Sequence, residues 1–370
     1  MAGLYVHIPF CSSFCLYCDF YSELAAGKMD GWIEALSLEI SRRKGFLHTA
    51  PSTLYLGGGT PSLLSATQLH RLMGTLRDAF GLDALEEATI EVNPDDVTSE
   101  KAALWREAGF DRVSMGVQAF DDARLRWMRR RHTVEEARNA FQILRAAGFD
   151  NISLDLIFGY AMLDGESWSQ DIDEVLALAP EHISCYQMSI EPGSALGELA
   201  AAGRYTEPQQ EVCAEEYLML QQRLGQAGYQ QYEISNFARE GFRARHNSAY
   251  WRREPYLGLG PGAHSFDGSR RFWNDSDLDG YIAALKAGND APGSSETLSA
   301  TDVFNEQLML GLRTLAGLDT ALLDPGLLIK ARPAIEQAAS RGDLIVEGTC
   351  IRIPAERLFV SDAIVSALFQ

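Results

Sequence analysis

The residues best suited to chemistry in this chain are Cys11, Cys15 and Cys18, spaced C-x3-C-x2-C. Three thiolates this close in sequence can wrap one face of a metal centre, but a closed tetrahedral zinc site takes four ligands. A [4Fe-4S] cube held by three cysteines keeps one iron free for an exchangeable ligand, whereas a fully ligated cluster uses four. The spacing therefore points to a site-differentiated cluster. A zinc knuckle completed by His7 or His132 is the alternative that the motif leaves open.

Four further features carry polar chemistry. Leu56-Gly57-Gly58-Gly59-Thr60-Pro61 reads as a glycine-rich strand exit, where bare backbone can approach a small polar ligand. It lacks the G-x-x-x-x-G-K-[ST] pattern of a phosphate loop, which disfavours a nucleoside triphosphate. Glu91 in Ile90-Glu91-Val92-Asn93-Pro94 and Asp155 in Ser153-Leu154-Asp155-Leu156-Ile157 place carboxylates in otherwise apolar runs. A buried carboxylate needs a partner or a ligand, so each is either half of a structural ion pair or part of a binding site. Arg130, inside the basic run Arg129-Arg130-Arg131, is the candidate partner because a guanidinium pairs carboxylates bidentately.

The elements that must position these groups alternate between strand and helix. Short β-branched or aromatic runs at 4–8, 53–56, 89–92, 112–117, 152–158 and 182–190 are each followed by helical apolar spacing, at 32–44, 66–80, 99–108, 134–147, 167–178 and 208–227. Gly81, Gly109, Gly148 and Gly228 supply helix stops. Six βα units in series predict a parallel sheet with helical crossovers. Ligand chemistry in such folds gathers at the carboxyl ends of the strands, where this chain carries the cysteine loop, Gly57 to Thr60, Glu91, Gln118 and Asp155. Five strands aiming functional groups at one rim favour an α/β partial (β/α)6 TIM-like barrel over a flat sheet. The rhythm changes after residue 228, which divides the chain into 1–228 and 229–370. Segments 304–315, 327–341, 344–353 and 359–369 read as helix, helix, β-hairpin and helix, a smaller α+β, winged-helix-like unit.

Composition narrows the partners. The chain has 370 residues, 46% hydrophobic and 22% charged, ordinary values for a globular protein. Its formal net charge of −19 repels phosphate backbones, so no nucleic-acid partner is expected. No apolar run is long enough to span a membrane, and the start lacks a signal-peptide layout, so a cytoplasmic protein is expected. Six cysteines are a poor disulfide scaffold at this length.

These motifs in this order resemble the radical SAM (S-adenosylmethionine) superfamily, in the branch of oxygen-independent coproporphyrinogen III dehydrogenases (HemN) and heme chaperones (HemW). The resemblance runs through essentially the whole chain and is carried by Tyr5-Val6-His7-Ile8-Pro9-Phe10-Cys11, the cysteine triplet, residues 57–62 and 90–94, Ser114-Met115-Gly116-Val117-Gln118, Arg130 and Asp155. It implies a [4Fe-4S] cluster on Cys11, Cys15 and Cys18 whose free iron is chelated by the methionyl amine and carboxylate of SAM. Tyr5 would lie near both, Gly58, Gly59 and Thr60 would contact the methionine part, and Glu91, Gln118, Arg130 and Asp155 would surround the rest. An electron from the cluster would then cleave the sulfonium and release a 5′-deoxyadenosyl radical.

Within the branch, the dehydrogenases have a further cysteine two positions past the third ligand, where this chain has Phe20, and an extension ahead of the motif, where this chain has ten residues. The run His246-Asn247-Ser248-Ala249-Tyr250-Trp251 matches the H-N-x-x-Y-W motif of the heme chaperones, which implies heme contact at His246. His264, in Gly258-Leu259-Gly260-Pro261-Gly262-Ala263-His264-Ser265-Phe266, is either structural or pocket-lining. The resemblance departs at Phe158-Gly159-Tyr160-Ala161-Met162-Leu163-Asp164-Gly165, where relatives carry a Gly-Leu-Pro-Gly-Gln-like turn. The expected function is a heme chaperone delivering heme to acceptor proteins, with coproporphyrinogen III dehydrogenation as the alternative.

Overall fold

The structure, a computed structural model, describes residues 2–370. The first half is built as the periodicity predicts: β1 (Gly3–Ile8) and α1 (Met29–Arg43), β2 (Thr53–Gly58) and α2 (Ala66–Phe80), β3 (Glu87–Val92) and α3 (Ser99–Ala108). Next come β4 (Arg112–Gln118) with α4 (Asp122–Trp127) and α5 (Val134–Ala146), and β5 (Ile152–Phe158) with α6 (Gly165–Leu178). β6 (His182–Gln187) is followed by α7 (Ala195–Ala201) and α8 (Gln210–Gln226). Capping boxes at Ser65 and Thr133 start α2 and α5. The four expected stop glycines all turn with positive φ.

β1 to β6 pair in parallel and in chain order. Right-handed crossovers that always step the same way put every helix on one face, and a sheet covered on one face curls. Each strand alternates accordingly. Leu4, Val6 and Ile8 of β1, Leu54 and Leu56 of β2, Ile90 and Val92 of β3, and Val113, Met115 and Val117 of β4 are buried in the apolar layer with the helices. The opposite parity holds Tyr5, His7, Thr53, Tyr55, Glu87, Glu91, Arg112, Ser114, Ser153 and Asp155, which turn into the lumen.

The boundary expected at 228/229 falls inside the sheet. β7 (Gln230–Gln231) and β8 (Asn236–Ala238) extend it beyond β6. After α9 (Arg245–Trp251), β9 (Tyr256–Leu259) pairs parallel to β1. β10 (His264–Phe266), β11 (Arg270–Asn274) and, past α10 (Leu278–Lys286), β12 (Gly293–Thr297) continue from it in antiparallel fashion. The twelve-stranded sheet has β12 and β7 at its two ends and stays open. Most of these added strands are too short for a two-residue period to show in sequence, which is why the region reads as irregular. The remaining residues form α11 (Ala300–Leu312), β13 (Leu318–Asp319), α12 (Pro325–Ser340), β14 (Ile345–Glu347), β15 (Cys350–Arg352) and α13 (Ser361–Ser366). This is the expected order of helix, helix, hairpin and helix, with β13 joining the hairpin as a three-stranded antiparallel sheet.

One buried carboxylate ties the late strands to the first helix. Glu39 of α1, 1% exposed, accepts from Gly260 N (2.8 Å), Asn274 Nδ2 (2.7 Å) and the Tyr281 hydroxyl (2.7 Å). Removing it leaves Gly260 N and the Tyr281 hydroxyl buried without a partner, while Asn274 Nδ2 keeps Gly260 O. Glu39→Ala is therefore expected to lower stability by about 3–5 kcal/mol in denaturant unfolding, still in one transition. A loss near zero would mean that residues 256–285 do not fold cooperatively with α1.

Candidate functional site

β1 delivers the chain at Ile8 into the cysteine loop, which backbone bonds hold in place. Glu23 N donates to Pro9 O (2.8 Å), Cys11 N to Glu23 O (3.1 Å) and Leu16 N to Met128 O (3.0 Å). The glycine strip runs beside it, with Gly59 N on Ile8 O and Thr60 N on Phe10 O, both 2.8 Å. A side chain at Gly59 would meet Phe10 O at 2.6 Å, so only glycine allows this approach. Cys11, Cys15 and Cys18, all free thiols, open onto one cavity of about 580 Å³. The Thr60 hydroxyl donates to Cys11 Sγ (3.4 Å) and Arg130 Nη1 to Cys15 Sγ (3.3 Å). Burial pushes the Cys18 thiol up to about 11, so a proton must be displaced by a cation for it to act as a thiolate ligand.

The same cavity brings together Gly58, Gly59, Thr60, Glu91, Gln118, Arg130 and Asp155, all expected from sequence. Gln118 reaches it through a register shift between Gly116 and Gln118, and holds φ at 71°, an uncommon conformation for a residue with a side chain. Glu91 accepts from the Tyr55 hydroxyl at 2.6 Å. Asp155 accepts from Ser114 Oγ at 3.2 Å. Burial raises both carboxyls, Glu91 to about 7.

Arg130 differs from expectation. Its Nη2 donates to Asn93 Oδ1 (2.6 Å) and Gly116 O (2.7 Å), leaving Nη1 for Cys15. It therefore faces a thiol rather than a carboxylate, because the turn through Arg129, φ 59°, aims it at the cysteine loop. Tyr5 also differs. Its hydroxyl bonds His7 Nδ1 (3.0 Å), and its ring lines a second, neighbouring cavity of about 530 Å³ instead of the cysteine cavity. His246 lines neither cavity. It is 2% exposed, with Nδ1 bonded to Thr53 Oγ1 (2.9 Å), Nε2 to the Tyr250 hydroxyl (2.8 Å) and its ring stacked on Tyr55. Both nitrogens are engaged, and burial, with Arg112 adding to it, lowers its pKa to about 3. In this arrangement it is a neutral plug in the barrel floor. The backbone N–H groups of Arg245 and His246 fasten α9 to the Glu87 carboxylate at 2.8 and 2.9 Å.

Residues overlooked in the sequence are Tyr55, Arg112, Ser114 and Ser184, which all line the cysteine cavity. Their signal was the alternation of polar residues along β2 to β6, with each polar residue two positions from the next. The atypical loop is anchored by Tyr160 and Leu163, with Ala161, Met162, Asp164 and Gly165 exposed. Tyr160 is fully buried, stacks on Trp127 and accepts from Arg124 Nη1 at 3.0 Å.

The donor set discriminates between metal centres. The two histidines that could complete a zinc site lie outside the cysteine cavity, although His132 keeps its Nδ1 without a partner. His7 is bonded at both nitrogens, by Tyr5 and by Tyr21 O (2.8 Å), and His132 Nε2 is held on Val117 O (3.1 Å). What that cavity does offer is three thiols at one end, two carboxylates deeper in, and buried Nε groups of Arg112 and Arg130 without partners. This set fits a three-cysteine cluster next to a small zwitterionic cofactor such as SAM.

Glu91 makes the site pH-sensitive. Its value in the folded chain lies above the ordinary 4.5, so the burial of its protonated form favours folding at low pH. That contribution fades as pH rises through about 7. A ligand that donates to the carboxylate reverses the balance. SAM binding to the reconstituted protein, measured by equilibrium dialysis, should tighten as pH rises through about 7, and Glu91→Gln should bind more weakly and without that dependence. An unchanged pH profile in the variant would remove Glu91 from the site.

Comparison with known proteins agrees with this geometry. The pattern of the radical SAM superfamily matches residues 5–179. A heme chaperone HemW of Lactococcus lactis is 35% identical over 314 residues, covering 85% of this chain and 82% of its own. The heme chaperone HemW of Mycobacterium tuberculosis is 33% identical over 372 residues, covering 99% and 94%. Among solved structures, coproporphyrinogen III oxidase (HemN) from Escherichia coli, a radical SAM enzyme, superposes with a TM-score of 0.86 at 26% identity, covering 100% of this chain and 90% of that one. The chain belongs to the radical SAM superfamily, in the branch that contains HemN and HemW.

Proposed function

We propose that this protein is a cytoplasmic heme chaperone: it binds heme and passes it to acceptor proteins. The observation that carries this reading is the 33–35% identity, over 85–99% of the chain, to relatives named heme chaperone HemW. Phe20 adds to it. Its ring is 70% exposed at the cysteine cavity, where the dehydrogenases of this branch place a cysteine. The free cysteines suit a reducing compartment.

Cys11, Cys15 and Cys18 would hold the [4Fe-4S] cluster and the Gly58–Thr60 backbone, Glu91, Gln118 and Asp155 would surround SAM. When bound, this pair supplies one-electron chemistry directed at a sulfonium. The chain's own groups set the conditions for it. Thr60 and Arg130 donate to two of the sulfurs, which tunes a cluster's reduction potential. The glycine strip excludes bulk from the cofactor's side of the loop.

The structural likeness to HemN favours one alternative, oxidative decarboxylation of coproporphyrinogen III propionates. One experiment separates the two. After anaerobic reconstitution with iron and sulfide, the protein is given SAM and coproporphyrinogen III, and in parallel is titrated with heme. Saturable heme binding without protoporphyrinogen formation is expected. Conversion of the porphyrinogen would overturn the chaperone reading.

A further inference from the structure

The second cavity has the chemistry of a porphyrin seat. Tyr5, Tyr250, Trp251, Tyr256 and Phe266 give it aromatic walls, and its volume of about 530 Å³ falls in the range of small-molecule sites, roughly 300–1,000 Å³. Two donors in its lining, Trp251 Nε1 and Arg253 Nη2, are buried without a hydrogen-bond partner. Buried donors of this kind are rare and mark an acceptor still to come. Arg253 Nε and Arg271 Nη2 share the carboxylate of Glu306, at 3.2 and 2.7 Å, while Asp19 and Glu254, the latter paired with Arg252, also line the cavity. Arg253 also follows the end of α9 in a left-handed conformation, φ 54°, where glycine is the usual occupant. Its side chain is held there by the Glu306 ion pair and lies over the Phe266 ring.

A histidine stands at the mouth of this cavity. His264 begins β10, is exposed, and rests its ring against Trp273, 6.1 Å between centroids. Among the described residues neither of its nitrogens has a hydrogen-bond partner, in contrast to His7 and His246, whose nitrogens are all engaged. A free imidazole, aromatic walls and unpaired donors for a carboxylate are what an iron porphyrin with propionate side chains requires.

Building on the heme-binding reading above, we propose that heme occupies this second cavity, with His264 as its axial ligand and Arg253 and Trp251 holding a propionate, while His246 serves the barrel floor. The test is titration of heme into the full chain and its variants, read by absorption spectrum and affinity, with thermal melting as the control for folding. His264→Ala should lose the histidine-ligated spectrum and keep its melting midpoint, because the residue is exposed. Arg253→Gln should keep that spectrum and bind about tenfold more weakly, the loss of one charge-assisted hydrogen bond. His246→Gln should melt earlier yet bind heme with the histidine-ligated spectrum. A wild-type spectrum and affinity in His264→Ala would overturn the placement, as would loss of the histidine-ligated spectrum in a folded His246→Gln. Failure of the wild-type chain to bind heme at all would instead overturn the chaperone reading itself.

Discussion

Six parallel strands that keep all their helices on one side must do something with the other side. In this chain that inner face is polar along its whole length, so the lumen cannot be a dry core. Every charged or hydroxyl group in it needs a protein partner, water or a ligand, because a buried polar group without one is costly. The architecture thus divides into an apolar outer layer that supplies stability and an inner surface that supplies chemistry. The alternation of side chains along each strand assigns residues to one or the other.

The lumen itself is graded. Near the floor the polar groups satisfy each other: Glu87 holds the start of α9, His246 bridges Thr53 and Tyr250, and His182 bridges Ser153 and Tyr232. Toward the carboxyl ends of the strands the accounting becomes incomplete, with raised carboxyls at Glu91 and Asp155 and a partnerless nitrogen on Arg130. A closed network below and an open one above is the arrangement that preorganises a site, since the lower layer fixes the strands from which the upper groups project.

The sequence made the first six βα units readable because they are long enough for both periods to repeat and because caps and glycines punctuate them. It also located most of the residues around the cysteine cavity. What it could not convey was aim. Arg130 faces a thiol rather than a carboxylate through a left-handed turn at Arg129, and Tyr5 is tied to His7. His246 shows the same limit more sharply. A motif names a histidine, but only the fold shows the hydroxyls of Thr53 and Tyr250 on either side of it. The strands after residue 228 were hidden for a different reason: two to five residues carry too little alternation to be told from a loop.

Phe20 is a wall of both cavities at once. A side chain occupies one rotamer at a time, so whatever fills the space on one side sets the boundary met on the other. Two ligands separated by such a partition have affinities that are not independent. Linkage then requires each to change the other's binding by the same factor. The position where the dehydrogenases carry a cysteine is, in this chain, an aromatic side chain shared by the two cavities.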